Sequence, residues 1–538
     1  QSGTVRAYLS ELEAFQAGLP IWQDELYLDL HRGCATSRPD QKRHNRSLER
    51  LLREADLATA LLGERREGQA DWCPLLFQQF HDILPGTSIP EVFEQAEPIW
   101  RMARRRARGL RDRQFDRLLA KGTPGRERWD WAWLGLQPLA EWSPHVRLPR
   151  RRWMASGLYL QTQDLSSGGC LAQLPRQRGA VAVALSAAAP GGSELVAEPA
   201  ALRHPVRTKQ LGEGRWRITN GLISTEVGPE GLLQLWGATA QQQLSAPLQL
   251  RRYGDRGEFW DAWDLAGNYR EHLLEFDGLA SAELIDQGPL LTHVRWRFQV
   301  GCSPGRLDLR IGADSPWVDL SVGVHWSQRH ELLRVELPLA QSACRLAADT
   351  SGGVIERPAR CLNPREQARW EVPVTSWLAS QTAAPGGGLA ILLDGPQGVD
   401  GGESHLGVSL MRGPTWPDPG ADQGWIRQRL ALMPLDRDWS SSGVPQAAIA
   451  FREPGHLRTL KLETDCALLP PLPKELVPIN VLPQEDGLTL RLINPGSARC
   501  SWTPGGNWML SRAAEPDAQA TVSIAPGELV ELSLIQSS

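Results

Sequence analysis

The sequence predicts an α+β multidomain protein in which an antiparallel helical bundle is followed by antiparallel β-sandwich domains. Three observations carry this. The first 122 residues hold long stretches with apolar side chains at i, i+3, i+4 and i+7. After Gly122-Thr123-Pro124-Gly125 the pattern changes to short alternating runs punctuated by Gly, Pro, Asn and Asp. No strand–helix–strand alternation follows, which excludes a doubly wound parallel sheet. The boundaries expected are 1–122 for the helical bundle, 123–204 for a linking β-region, 205–468 for a large β-sandwich domain and 469–538 for a small terminal β-domain.

In chain order, Thr4 to Leu19 reads as a helix with Tyr8, Leu9, Leu12 and Phe15 on one face, broken by Pro20-Ile21-Trp22. Glu25 to Leu30 is a short extended segment that delivers His31-Arg32-Gly33. Thr36-Ser37-Arg38-Pro39 reads as a helix start, with a hydroxyl cap and proline in the first turn. That helix runs to about Leu62 on the stripe Leu48, Leu51, Leu52, Ala55 and Ala58. The next helices span Trp72 to Leu84 and Ile89 to about Ala120, the latter burying Val92, Phe93, Ala96, Ile99, Trp100 and Ala103. Short connections between them give an antiparallel bundle. The strand runs beyond include Trp216–Ile218, Leu290–Val300, Leu307–Ile311, Val318–Val324, Leu332–Leu337 and Leu406–Leu410. Leu469-Pro470-Pro471-Leu472-Pro473 reads as a linker.

Composition narrows the function classes. A length of 538 residues exceeds one core, and a net charge of -4 gives no global field for nucleic acid or membrane. The arginines from Arg101 to Arg113 have no interleaved aromatic platform, so they read as a solvated helix face near a C-terminus. No apolar run is long enough to span a bilayer, and no signal peptide pattern opens the chain. The eight cysteines are dispersed, without a Cys-x-x-Cys pair, which favours a reduced, cytoplasmic compartment. The 22 tryptophans suit β-sandwich cores first and sugar-stacking surfaces second.

The stretch that carries chemistry is Leu76-Phe77-Gln78-Gln79-Phe80-His81-Asp82-Ile83-Leu84-Pro85-Gly86-Thr87-Ser88-Ile89. An apolar helical run ends in adjacent His and Asp, and Pro-Gly then turns the chain. Thr87 or Ser88 can cap the following helix, with Glu91 completing a capping box. Local spacing alone also fits a hydrogen-bonded structural histidine. The wording of the stretch goes further, because Gln78 to Ile89 closely resembles the QFHDILPG(T/S)S motif of glycoside hydrolase family 38, the zinc-dependent α-mannosidases. Glu25 to Gly33 with Thr36-Ser37 resembles the same family's ELYLELHRG…TS segment. Ile218–Leu222, Phe259–Asp264, Gly353–Pro358 and Arg412–Pro419 resemble its cytosolic and bacterial branch, in collinear order. Gln397, Gln423 and the stretch Arg360–Gln367 depart from it.

The resemblance implies hydrolysis of terminal α-linked mannose with retention, by a carboxylate nucleophile and a second carboxylic acid, assisted by zinc. It places His81 as one zinc ligand, Asp82 on a sugar hydroxyl or supporting the metal, and His31 against the sugar. Nucleophile, acid and remaining zinc ligands belong in the family to an N-terminal α/β domain, and no catalytic residue is expected in this chain. The chain is therefore expected to be the C-terminal portion, inactive alone, with the N-terminal domain or a second copy as partner. The substrate is a glycan or a small mannoside of the mannosylglycerate kind. A non-catalytic carbohydrate-binding remnant, or a subunit of a split enzyme, is the alternative. Asp261 and Asp264 read as turn anchors beside core tryptophans rather than as a catalytic pair.

Overall fold

The computed structural model describes residues 3–21, 31–63, 70–119, 130–187, 201–257, 260–383, 387–484, 487–506, 508–512 and 515–536. Two compact units result, residues 1–31 and 32–538. In the first, α1 (Val5–Glu13) begins at Thr4, whose hydroxyl oxygen accepts from the Ala7 amide at 3.2 Å, and a 3-10 turn follows at Gln16–Gly18. None of its residues is buried. The segment Glu25–Leu30 lies outside the described residues.

The second unit begins with α2 (Pro39–Leu61), α3 (Cys73–Gln78) and α4 (Pro90–Leu119). The stripe Leu48, Leu51, Leu52 and Ala55 on α2 is fully buried against Ala96, Trp100, Ala103 and Ala107 of α4. Farther along α2, Leu57, Ala58 and Ala60 leave that core and join Leu490, Leu492 and Leu532 of the terminal β-region. Periodicity therefore located α2 and α4 to within a residue or two. It overran α3, which stops at Gln78 instead of Leu84. Leu76 and Phe77 in its last turn and Phe80 just beyond are exposed, so little apolar burial rewards continuing the helix. The Asp82 carbonyl accepts instead from the Thr87 amide at 3.0 Å and the Ser88 hydroxyl at 3.0 Å. The Thr87 and Ser88 hydroxyls both turn back to Asp82, and α4 opens on Pro90. Thr36 and Ser37 do not cap α2: the cap position is Arg38, in the left-handed region at φ 52°.

The remainder is β-rich, and among the described residues every strand pairing is antiparallel, as the missing strand–helix alternation requires. The largest sheet has nine strands, in the order Glu283–Gln287, Leu291–Val300, Ser303–Gly312, Val318–Trp326, Gly424–Pro434, Leu389–Asp394, Trp377–Thr382, Ala343–Thr350, Gly353–Pro358. One face is apolar, with Val294, Trp296, Leu309, Leu320 and Leu430 buried. A six-stranded sheet is built on Glu331–Pro338 and His405–Met411, and a five-stranded terminal sheet on Gly487–Ile493 and Leu529–Gln536. Another six-stranded sheet joins Asp130–Gly135 to His456–Thr459, and Ala180–Ala187 to Cys466–Leu469. Trp100, Trp133, Trp153, Trp296, Trp326, Trp377 and Trp502 are fully buried, the core role expected for most tryptophans. No helix among the described residues is long and apolar enough to cross a membrane.

Candidate functional site

The turn after α3 separates its two motif residues sharply. Asp82 is held: its Oδ1 accepts from the Thr87 hydroxyl at 2.8 Å, and its backbone is pinned as described above. The His81 side chain is 78 % exposed, its ring stacked on Phe80 with 4.0 Å between centroids and its Nε2 3.5 Å from Asp82 Oδ2. The turn itself is anchored from below. Lys42, buried in α2, donates to the carbonyls of Ser37 at 2.5 Å, Leu84 at 3.0 Å and Pro85 at 2.7 Å. Burial depresses the Lys42 ammonium to about 8, against the pull of Asp422 and Asp40. Gly86 must be glycine, since its φ is +87° and a Cβ there would stand 2.5 Å from Arg38 Cβ.

Ser37 connects this turn to the β-domain. Its carbonyl takes the Lys42 bond, its hydroxyl donates to the Ala262 carbonyl at 2.7 Å, and the same oxygen accepts from Arg412 Nη1 at 3.1 Å. Arg412 is fully buried; it donates through Nε to Asp255 at 2.6 Å and through Nη2 to the Asp264 carbonyl at 2.6 Å. Burial raises the Asp255 carboxyl above its usual range despite that partner. Gly33 faces the guanidinium so closely that a Cβ would stand 1.9 Å from Arg412 Nη1. Neighbouring Thr36 donates to Glu371 at 3.0 Å, and burial pushes the Cys34 thiol up to about 11. That shift makes Cys34 a poor nucleophile.

Above Arg412 lies an aromatic surface. Trp260 and Trp416, 58 % and 46 % exposed, meet edge to face at 4.9 Å, and Trp263 lies 5.3 Å from Trp416. Asp261 fixes the two loops by accepting from the Thr415 and Trp416 amides at 2.7 and 3.0 Å. Asp264 accepts from the Arg32 amide at 3.2 Å. Both carboxylates are thus the turn anchors expected, but the tryptophans beside them are surface rather than core, which corrects that expectation. Sequence reasoning missed Lys42 altogether. Arg412 lay inside a noticed family-like stretch, yet nothing local signalled its burial.

His31 is exposed, at φ 72°, and closes the first unit. Gln423 donates to the carbonyls of Gln328 and Ala421. Among the described residues, no group of three or more His, Cys, Asp and Glu side chains converges as a metal site. His81 and Asp82 form a pair of donors only. Their 3.5 Å separation is nonetheless that of two ligands on one tetrahedral ion with bonds of about 2.0–2.2 Å.

The whole chain overlays on the crystal structure of an alpha-mannosidase from Enterococcus faecalis V583 with TM-score 0.73, at 14% identity, covering 98% of this chain and 72% of that one. A protein of glycosyl hydrolase family 38 from the same organism gives TM-score 0.72 at 14% identity, covering 98% and 73%. Residues 29–118 match the alpha mannosidase middle domain and residues 218–420 the glycosyl hydrolases family 38 C-terminal domain, together more than half of the chain. This chain belongs to glycosyl hydrolase family 38. Alpha-mannosidase 2C1 of Homo sapiens is 28% identical over 475 residues, 84% of this chain and 42% of that protein, and alpha-mannosidase G of Dictyostelium discoideum 24% identical over 482 residues, 82% and 44%. The chain therefore spans about two fifths of the length of the curated relatives it matches.

Proposed function

We propose that this chain supplies the helical and β-domains of a retaining α-mannosidase acting on terminal α-linked mannose. In this reading a domain of the kind that precedes the matched region in relatives provides the nucleophile and acid. His81 is one ligand of a zinc ion, and Asp82 either completes its hydrogen bonding or accepts from a sugar hydroxyl. When bound, the ion polarises sugar hydroxyls and favours a distorted ring. The tryptophan surface at residues 260, 263 and 416 stacks on the apolar face of the saccharide. His31 is proposed as a substrate contact in its own right. The layout 1–122, 123–204, 205–468 and 469–538 and a cytoplasmic setting, in keeping with eight free cysteines, belong to the same reading.

The observation that carries the proposal is the division of labour at the motif. The backbone and Asp82 are clamped by Thr87, Ser88 and Lys42, while the His81 ring stays 78 % exposed. The test is hydrolysis of an aryl α-mannoside, with added zinc and with chelator. The chain alone is expected to show no zinc-dependent turnover. Joined to the N-terminal domain of a relative it should turn over, and His81→Ala should lower the rate by about a hundredfold or more. Full chelator-sensitive activity in the joined His81→Ala protein would overturn the metal assignment. Inactivity of the joined wild type, with sugar still bound, would favour the non-catalytic carbohydrate-binding remnant.

A further inference from the structure

A second cleft lies on the polar face of the nine-stranded sheet. Across four adjacent strands the register sets Arg297 opposite Arg306, Arg306 opposite Gly323, and Gly323 opposite Arg427. Like charges directly opposed weaken a sheet, and Asp308, 3.5 Å from Arg306 Nε, offsets only part of this row. At its centre the absent side chain of Gly323 makes room for an indole: a Cβ there would stand 3.1 Å from Trp425 Cζ2. Trp425 is 52 % exposed, and the Arg306 guanidinium lies 5.4 Å from its ring centre. Trp425, Arg427 and Arg429 occupy alternate positions of one strand and so stand on one face.

That face forms one wall of a cleft of about 690 Å³, and the first turns of α2, with Arg43 and Arg46, form the other. The volume suits a mono- or disaccharide. Arg429 is engaged by Asp319 at 2.7 Å, and Arg46 donates to the Gly395 carbonyl at 2.8 Å. Burial, with the charges of Arg452 and Arg43, depresses Arg46 to about 10. Arg427 donates to the Ser321 hydroxyl at 2.9 Å, and among the described residues neither Arg427 nor Arg43 has a carboxylate within ion-pair reach. Of the cleft's three carboxylates, Asp40 pairs with Arg38 at 3.0 Å, Asp394 is 3.6 Å from Arg429 Nη1, and burial pushes Asp422 up to about 7.

We propose that this cleft is a second saccharide site, specific for a sugar carrying a phosphate. Trp425 stacks on the pyranose ring, Arg427 and Arg43 take the phosphate, and Asp394 accepts from ring hydroxyls. None of these residues belongs to the 81–88 turn, so the proposal stands apart from the zinc reading.

Titration calorimetry on the full chain tests it, with mannose 6-phosphate, mannose, inorganic phosphate and a phosphorylated mannotriose as probes. Mannose 6-phosphate should bind more tightly than mannose or phosphate. Trp425→Ala and Arg427→Gln should each weaken it roughly tenfold or more. Gly323→Ala, which removes no ligand group but crowds the indole, should weaken it too, and His81→Ala should leave it unchanged. Circular dichroism confirms that each variant is folded. Binding of the phosphorylated mannotriose alone would identify a phosphorylated glycan end, rather than a free sugar phosphate, as the ligand and would still support the site. No binding of either phosphorylated sugar at millimolar concentration overturns the proposal. So does affinity unchanged in both Trp425→Ala and Arg427→Gln, or inorganic phosphate matching the sugar phosphate.

Discussion

Two regions of this molecule gather titratable side chains around a buried basic residue, and they differ in what that residue holds. Around Arg334, Glu371 accepts from Nη1 at 2.9 Å and Glu336 from Nε at 3.2 Å, while Asp400 bonds Nη2 and also accepts from Arg270 at 2.5 Å and His405 at 3.1 Å. Every member has a partner, and Arg334 and Glu371 are fully buried. Around Lys42 the partners are backbone carbonyls, and the chain they hold carries an exposed imidazole. By composition the first cluster is the more enzyme-like. By geometry it is a structural network with a buried centre, in which each charge answers another and only Arg270 and His405 reach the surface. The second spends its charge on a turn and leaves His81 exposed to solvent, which is what a ligand-facing edge requires.

The sharpest way to break this contrast is to remove the centre of the first network. Arg334→Ala leaves Glu371, Asp400 and Glu336 without their shared cation, and should cost about 3–5 kcal/mol of unfolding free energy in a denaturant titration. A loss under about 1 kcal/mol would mean the network is not what stabilises this sheet. Next comes the pH response of Lys42. Its ammonium titrates near 8 when folded and near 10.5 when unfolded, so between these values the unfolded chain holds more protons. Stability contributed by this group is therefore lowest below pH 8 and rises as pH climbs toward 10.5. Relative to Lys42→Met, the wild type should gain up to about 3 kcal/mol over that window. A flat difference curve would place the ammonium in contact with water. The smallest effects concern the motif pair. Asp82→Asn, which weakens the clamp on Thr87, should cost about 1 kcal/mol, whereas His81→Ala should stay within about 0.5 kcal/mol in thermal melts. Equal costs for the two would erase the distinction between clamp and exposed ring.

What was legible in the sequence was whatever repeats locally. The stripe of Leu48, Leu51, Leu52 and Ala55 located α2, and alternation located strands such as Leu291–Val300 and Val318–Trp326. What was not legible depends on residues far away in the chain. Thr36 and Ser37 looked like caps because cap residues look that way, but their hydroxyls go to Glu371 and Ala262, more than two hundred positions distant. The sheet that pairs Asp130–Gly135 with His456–Thr459 has no signature in either segment. At the candidate site, the His81–Asp82 wording was visible at once, whereas the Lys42 and Arg412 supports were not, because a buried cation and an exposed one are the same letter. The half-exposed tryptophans at 260 and 416 were hidden for the same reason.

One feature of α2 bears on how the chain comes to be folded at all. Its second half buries Leu57, Ala58 and Ala60 against Leu490, Leu492 and Leu532, which leave the ribosome more than four hundred residues later. Until they arrive, that stripe has Phe115 and Leu119 of α4 beside it but not the terminal sheet, and part of its core stays open. Acquisition of the native state must then wait for the last strands, and contacts of such long range are slow to form. The early helices are accordingly where a nascent chain should most need a chaperone, and removal of the final sheet should unsettle the opposite end of the sequence first.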